Sequence, residues 1–219
     1  MRRLLFVKQG NSVWISHLDL MRLFQRAFKR AGLPLTHTKG FNPRPSVSIA
    51  LPLSVSVESQ CELLDFELED VDVANEEIRS RLNKALVSGI EVLQVYEANR
   101  KINEIAYLKC QIRMEYDRGV PECAASKISE LFRMDEVIVP KKSKNGIVDQ
   151  NIIPMIQSIS VETIDDTSIN LQADICCQNP SLNPAQLVAA IERYLPELKP
   201  DFSRCRRLEI FDRDHNVFR

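Results

Sequence analysis

The first 50 residues carry a cluster of cationic side chains that could bind a polyanion. They hold nine Lys or Arg residues and a single acid, Asp19, in a chain whose net charge is −1. Such an imbalance attracts anions, and a phosphate backbone is the commonest macromolecular anion that rewards it. Residues 51–99 reverse the balance, with eleven acids against three bases. The nine cations are Arg2, Arg3, Lys8, Arg22, Arg26, Lys29, Arg30, Lys39 and Arg44.

A loop rich in glycine and proline reads Gly-Phe-Asn-Pro-Arg-Pro at 40–45. Proline fixes its own φ and biases the residue before it toward extended backbone, which holds Asn42 and Arg44 out of any helix. We expect Phe41 to stack on a base, Asn42 to read a base edge and Arg44 to bind a phosphate. The alternative is that Phe41 fills the core while the prolines only stiffen a turn. The predicted nucleic-acid contacts are Arg22, Arg26, Arg30, Lys39, Phe41, Asn42 and Arg44.

Two histidines bracket this segment and are candidate proton carriers. His17 stands near its start and His37 in the loop. A histidine can act as a general base in metal-independent RNA cleavage when a second group lies within hydrogen-bond reach. The alternative for His17, which falls on the side of Met21 and Phe24, is a packed and hydrogen-bonded imidazole. The sequence therefore identifies candidates but no definite catalytic residue.

The remaining composition predicts no metal ion, no cofactor and no membrane contact. Six cysteines are scattered, without a Cys-x-x-Cys pair or the Cys-x-x-x-Cys-x-x-Cys triplet of an iron–sulfur site, and three histidines lie far apart. We expect reduced, buried thiols. No apolar run approaches the roughly 20 residues that span a bilayer. The early charges are unlike a secretory signal, so we expect a cytoplasmic protein.

The elements that position the cations and the loop are predicted in the order β-α-β-β-α-β over the first half of the chain. Ser16 is a predicted N-cap for a helix over 17–31, which Gly32 and Pro34 end. The helical spacing predicts one buried face, made of Leu20, Phe24, Ala27, Phe28 and Ala31. After a polar linker at 97–105, residues 106–219 repeat the order less cleanly, with a helix predicted over 121–133 and a strand over 207–212. We predict the α+β class, with two tandem ferredoxin-like (βαββαβ) units at 1–98 and 106–219, each with an antiparallel sheet.

Three further segments have structural interpretations. The acidic stretch between Glu58 and Asp72 is expected to be a solvated strand and loop, with a contact to a basic partner or to the basic helix as the alternative. Trp14, just before the N-cap, is expected to pack at the helix entry. The extra segment at 141–157 suggests an exposed hairpin or loop.

The motifs of about the first 70 residues resemble those of the radical-SAM-linked family of uncharacterised bacterial proteins. The strings that carry the resemblance include Ile15-Ser-His-Leu-Asp-Leu-Met-Arg, Arg30-Ala-Gly-Leu-Pro, Gly40-Phe-Asn-Pro-Arg-Pro, Ala50-Leu-Pro-Leu and Asp65-Phe-Glu-Leu. Members of that family look like stand-alone versions of a domain fused behind cobalamin-binding radical-SAM enzymes. One departure is Ser56, where the family pattern has a glycine.

The resemblance implies a radical-SAM protein as partner, although this chain lacks the cysteines that would bind that enzyme's cluster. Our leading interpretation is an RNA-binding accessory protein of a radical-SAM system that modifies tRNA or rRNA. The predicted tandem architecture also resembles the endoribonucleases that process CRISPR repeat RNA, but the late glycine-rich loop expected there is missing. A protein–protein adaptor for the radical-SAM enzyme is the third interpretation.

Overall fold

The computed structural model describes residues 1–69, 72–143 and 146–219. It divides into two compact units, Met1–Ile102 together with Arg219, and Asn103–Phe218. Both units combine helices with antiparallel strand pairs, which confirms the predicted α+β class. The four α-helices in the described ranges have 8 to 14 residues, and none is long and apolar enough to cross a membrane.

Unit 1 places two helices against one antiparallel sheet. Its elements are β1 (Arg2–Lys8), α1 (His17–Arg30), β2 (Val47–Ile49), β3 (Val57–Phe66), α2 (Asn75–Ala85) and β4 (Ile90–Glu97). The strand order is β4-β1-β3-β2. In this register Arg2 of β1 lies opposite Phe66 on one side and Glu97 on the other. The first strand of the unit therefore lies inside the sheet.

Aromatic contacts fix α1 on this sheet. The ring of Phe24 lies 4.7 Å from that of Phe6 on β1, and the ring of Phe28 lies 4.9 Å from that of Phe66 on β3. Tilted and edge-to-face ring pairs of this kind add to the free energy gained from burial. The buried residues of the helix are Leu20, Phe24, Ala27 and Phe28, as the helical spacing predicted. The opposite face of α1 is consequently turned to solvent.

Ser56 lies in the turn before β3, with a left-handed backbone at φ +68°. Its N–H donates a hydrogen bond to the Val13 carbonyl at 2.9 Å, which anchors the turn. A residue with a Cβ is strained in this region, whereas glycine is not. We therefore expect Ser56→Gly to raise the free energy of unfolding by about 0.5 to 1 kcal/mol. Urea denaturation would measure this change in the free energy of unfolding. A variant less stable than wild type would contradict the argument that Ser56 has a strained backbone.

Unit 2 combines antiparallel strands with its own two helices. Its elements are β5 (Ile105–Glu115), α3 (Ala124–Leu131), β6 (Ile138–Ser143), β7 (Gly146–Asn151), β8 (Ile156–Asp165), β9 (Ser168–Cys176), α4 (Ala185–Tyr194) and β10 (Phe202–Asp212). Four strands follow the order β10-β5-β9-β8. The other two, β6 and β7, pair antiparallel with each other, as expected for the extra segment. Residues 144 and 145 of that segment lie outside the described ranges.

Two boundaries of unit 2 differ from the sequence prediction. The helix predicted over 121–133 spans Ala124–Leu131, because Cys123 has φ +57° and cannot belong to a right-handed helix. The strand predicted over 207–212 begins earlier, at Phe202, which pairs with Glu115 of β5. Its first residues are polar and mostly exposed, so the hydrophobic alternation that marks a strand is absent there.

Candidate nucleic-acid interface

Two of the nine N-terminal cations are interior residues of unit 1. The side chains of Arg3 and Lys8 are each 0% exposed. Arg3 holds Asp65 in a two-pronged ion pair, with Nε 2.6 Å from Oδ1 and Nη2 3.0 Å from Oδ2. Nζ of Lys8 donates to the Val13 carbonyl at 3.0 Å. The charge excess of the sequence therefore overstates the charge of the surface.

The same pair corrects the interpretation of the acidic stretch. Glu62 and Asp65 are buried, so a solvated strand is wrong for these two residues. Asp65 of β3 stands directly opposite Arg3 of β1 in the antiparallel register. Cross-strand neighbours lie within side-chain reach, and a buried carboxylate needs a cation. The partner of this acid is thus a strand residue rather than the basic helix.

The exposed face of α1 carries Arg22, Arg26 and Lys29. Nη1 of Arg22 lies 2.9 Å from Oδ1 of Asp19 in the first turn. Ser16 caps the helix by accepting the Asp19 N–H, and its hydroxyl donates to the carboxylate. The Ser16 bond first, and the Arg22 bond after it, hold the pKa of Asp19 below its ordinary value. Among the described residues, Arg26 and Lys29 have no acidic partner within 4.0 Å and remain available to an external anion.

Arg30 points to a different part of unit 1. Its Nη2 donates a hydrogen bond of 2.6 Å to the carbonyl of Ala85, the last residue of α2. A cation at this position satisfies a terminal carbonyl and complements the negative end of the helix dipole. The structure therefore gives Arg30, a predicted nucleic-acid contact, a role in joining the two helices.

We expect Arg30→Gln to lower the free energy of unfolding by about 0.5 to 1 kcal/mol and to leave RNA affinity nearly unchanged. Arg26→Gln, four residues earlier on the same helix, is the matched control. It should show the reverse pattern, with unchanged stability and weaker RNA binding. Denaturation curves and equilibrium binding on both variants measure the two effects. If Arg30→Gln lost more RNA affinity than Arg26→Gln, Arg30 would be part of the RNA-binding surface.

Residues 36–46, here named the basic loop, form a short hairpin. The Ser46 N–H donates to the Thr36 carbonyl at 2.8 Å, and the Thr38 N–H donates to the Arg44 carbonyl at 2.8 Å. The Arg44 N–H is bound by the Thr38 hydroxyl at 3.0 Å. These bonds close the base of the loop and leave its tip, residues 39–43, exposed. The expected stiff loop is thus held by hydrogen bonds as well as by prolines.

The tip presents the predicted contact residues to solvent. Lys39, Asn42 and Arg44 are exposed, and the ring of Phe41 is fully exposed. The alternative in which Phe41 fills the core is therefore wrong. In the described part of the chain, neither Lys39 nor Arg44 has an acidic partner within 4.0 Å. Sites that bind single-stranded nucleic acid commonly combine exposed aromatic rings with cations in this way.

A cavity of about 440 Å³ joins the helix to the loop. We name it the helix–loop cavity. Gln25 and Lys29 of α1 line one side, and His37 and Pro45 of the basic loop line another. Its complete lining is Gln25, Phe28, Lys29, Gly32, Leu33, Pro34, Leu35, His37, Pro45 and Glu69. The helix and the loop therefore border one concave surface, and Lys29 is the cation in its lining.

The two candidate histidines lie near opposite ends of α1. His17 is the first residue of the helix, whereas His37 lines the cavity beside Lys29 in its last turn. A helix of 14 residues is about 20 Å long. In the described structure, Nδ1 of His17 is buried without a hydrogen-bond partner, so the expected satisfied imidazole is not seen. The two imidazoles cannot form one acid–base pair.

Sequence reasoning missed or misinterpreted four residues at this surface. Trp14 and Leu18 are 65% and 66% exposed, so the expected packing of Trp14 at the helix entry is wrong. Gln25 was not singled out, although it lies one turn before Lys29 on the same side of the helix. The spacing of four residues between Leu18 and Arg22 could have placed Leu18 on the polar face. No local signal indicated that Glu69 reaches the cavity.

The metal and thiol chemistry of the described residues is simple. Within residues 1–69, 72–143 and 146–219, no group of three or more His, Cys, Asp or Glu side chains is placed to hold a metal ion. All six cysteines are free, and Cys123 is exposed, contrary to the expectation of burial. Burial raises the pKa of Cys177 to about 12 and that of Cys205 to about 11. Thiols in that state are poor nucleophiles at neutral pH.

The fold and this surface define an α+β protein with an exposed basic helix, a basic hairpin loop and a cavity between them. The chain belongs to a family described as uncharacterized proteins conserved in bacteria (DUF2344), whose match covers residues 2–184. No protein of curated function matches it in sequence.

Similar folds occur among solved structures at low sequence identity. A chain of a Cbf5-Nop10-Gar1 complex is similar with a TM-score of 0.53 and 11% identity, over 95% of this chain and 48% of that chain. A chain of the archaeal box H/ACA sRNP Nop10-Cbf5 complex has a TM-score of 0.44 and 10% identity, over 94% of this chain and 46% of that chain. An unknown protein from Galdieria sulphuraria has a TM-score of 0.26 and 11% identity, over 94% of this chain and 96% of that chain. The chain thus spans about half the length of the first two, and the likeness concerns the fold.

Proposed function

We propose that this protein is an RNA-binding accessory protein, which holds single-stranded or structured tRNA or rRNA on α1 and the basic loop. The observation that carries the proposal is the helix–loop cavity, because its lining includes residues of both elements. Lys29 belongs to that lining, and Arg44, which is distant from it in sequence, directly precedes Pro45 of the lining. Charges that converge in this way bind a phosphate backbone more strongly than charges that point apart.

Each element has a separate role in this proposal. Arg26 and Lys29 bind backbone phosphates along α1, and Lys39 and Arg44 bind them along the loop. Phe41 stacks on a base, since its ring is fully exposed and the closed base of the loop limits its movement. Asn42, beside it at the tip, is available to read the edge of that base. Arg22 contributes less, because Asp19 already neutralises it.

We also propose that each unit is a ferredoxin-like (βαββαβ) unit. In unit 1 the main strands occur as fourth, first, third and second in chain order. When the β6–β7 pair is treated as an insertion, the main strands of unit 2 follow the same order. Units of this architecture support many functions, so the fold is compatible with RNA binding without requiring it.

A radical-SAM RNA-modification enzyme is the proposed partner. The support for it is the resemblance of the motifs between Ile15 and Leu68 to the radical-SAM-linked family. In this arrangement the protein presents RNA and the partner carries out the chemistry. The function is thus a binding function, and no residue of this chain is assigned a catalytic step.

RNA crosslinked to the protein in its native cells tests the proposal. The surface variant carries Arg26→Gln, Lys29→Gln, Lys39→Gln and Arg44→Gln. The control variant removes four exposed cations of unit 2 by Arg118→Gln, Lys127→Gln, Arg133→Gln and Arg193→Gln. We expect a tRNA or rRNA segment to be enriched with the wild type and the control variant, and lost with the surface variant. Equal recovery from all three proteins would refute the proposed surface.

A protein adaptor is a second candidate function, favoured by the exposure of Trp14 and Leu18 at the start of α1. Exposed aromatic and aliphatic side chains beside cations are common in protein interfaces. Copurification of a partner that survives nuclease treatment and is lost in Trp14→Ala would support the adaptor. The ribonuclease interpretation, with His17 or His37 as the proton carrier, stays a prediction.

A further inference from the structure

The helix–loop cavity has the size of a pocket for a small ligand group. Its volume of about 440 Å³ lies within the usual range for ligand sites, and it opens on the cationic side of α1. We propose that it holds one unstacked nucleobase of the bound RNA, and that this base carries an exocyclic amine. The proposal rests on the RNA-binding function proposed above and specifies the part of the RNA that the site recognises.

The walls of the cavity suit a flat, weakly polar group. Phe28, Leu33 and Leu35 contribute buried apolar side chains to its lining, and Pro34 and Pro45 contribute stiff rings. These apolar surfaces cover the two faces of a base that has left its stack. Removing both base and walls from water provides the driving force for binding. A peptide side chain would use the same walls but would not explain the charge at the mouth.

The polar groups of the cavity are arranged around this apolar surface. In the part of the chain that the structure describes, the side chains of Gln25, His37 and Glu69 have no hydrogen bond within the protein. The amide of Gln25 both donates and accepts, whereas the ionised carboxylate of Glu69 only accepts. An exocyclic amine of adenine, cytosine or guanine satisfies such a carboxylate. The single ring donor of uracil lies between two carbonyl oxygens, which a carboxylate repels.

Cations at the mouth favour a nucleotide over an uncharged ligand. Lys29 lines the cavity without an acidic partner among the described residues, and Arg44 precedes Pro45 of the lining. A base inside the cavity brings the two phosphates that flank it to the rim, where these side chains bind them. The site thus combines an apolar slot for the base with a cationic rim for its backbone.

Fluorescence anisotropy with short labelled RNAs tests the proposal. The probes are an oligoadenylate of about ten nucleotides, an oligouridylate of equal length and an abasic backbone of equal charge. We expect the oligoadenylate to bind about ten-fold more tightly than the abasic backbone. Stacking on Phe41 also distinguishes these two probes, so the comparison is made in a Phe41→Ala background. There Gln25→Trp, which fills the cavity, should abolish the difference and leave the abasic affinity unchanged. Glu69→Gln should reduce the preference for oligoadenylate over oligouridylate.

The outcomes separate this proposal from the RNA-binding function. If the Phe41→Ala variant binds the abasic backbone as tightly as the oligoadenylate, or if Gln25→Trp retains the difference in that background, the cavity holds no base while the cationic surface stands. If no probe binds wild type at low salt, the RNA-binding function fails and this proposal fails with it. Circular dichroism checks that the variant with Gln25→Trp folds. If it does not fold, the three probes on Phe41→Ala, with and without Glu69→Gln, still test the proposal.

Discussion

Asp65→Ala is expected to lower the free energy of unfolding by about 3 to 5 kcal/mol. The side chains of Arg3 and Asp65 are 0% and 8% exposed, and two hydrogen bonds join them. Without the carboxylate, the buried guanidinium keeps its charge and loses the two hydrogen bonds that Asp65 accepts from it. Its bond to the Arg100 carbonyl, at 3.0 Å, cannot neutralise that charge. Such a loss is a large part of the stability of an ordinary domain.

Urea denaturation followed by circular dichroism measures this effect, and Glu97→Ala is its control. The control removes the ion pair of Arg2 with Glu97, on the neighbouring residue of the same strand, at 3.1 Å. Because Glu97 is 59% exposed there, we expect a change of at most about 1 kcal/mol. If the two variants lost equal stability, burial would not be what makes the Arg3–Asp65 pair important.

The affinity for single-stranded RNA is expected to fall steeply with salt, and the surface variant should flatten that dependence. Each phosphate contact on a single strand contributes about 0.7 to the slope of log affinity against log salt. Loss of four contacts reduces the slope by about 3. Between 50 and 200 mM salt, the gap between wild type and surface variant should therefore narrow by about 50-fold. Anisotropy titrations at several salt concentrations measure both slopes.

The control variant makes this prediction specific. It carries the same change in net charge, but its four substitutions lie in unit 2, on none of the elements that form the proposed surface. We expect its slope to equal that of wild type. Equal flattening in both variants would mean that net charge, rather than the proposed surface, determines RNA binding.

Local patterns were sufficient for the elements that position the candidate surface. The Ser16 cap and the spacing of Leu20, Phe24 and Phe28 predicted α1 to within one residue of its observed end. The glycine and prolines at 40–45 predicted a loop that presents its side chains to solvent. These features depend on neighbours in sequence, which a single sequence displays directly.

The features that sequence reasoning missed depend on contacts across the fold. Arg3 counted as a surface cation until the register placed it opposite Asp65. Arg30 shares the helical spacing of Arg26, and only the position of α2 shows that it binds the Ala85 carbonyl. The cavity likewise exists only because Glu69 and the basic loop return to α1. No pattern in a single sequence records such pairings.

The inner position of β1 has a consequence for synthesis of the chain. Residues 2–8 leave the ribosome before the rest of unit 1, yet their two strand partners end at Phe66 and Glu97. Pairing with both partners cannot be complete until nearly the whole unit has emerged. During synthesis the apolar side chains of Leu4, Leu5 and Phe6 therefore stay without their strand partners longer than any other part of unit 1.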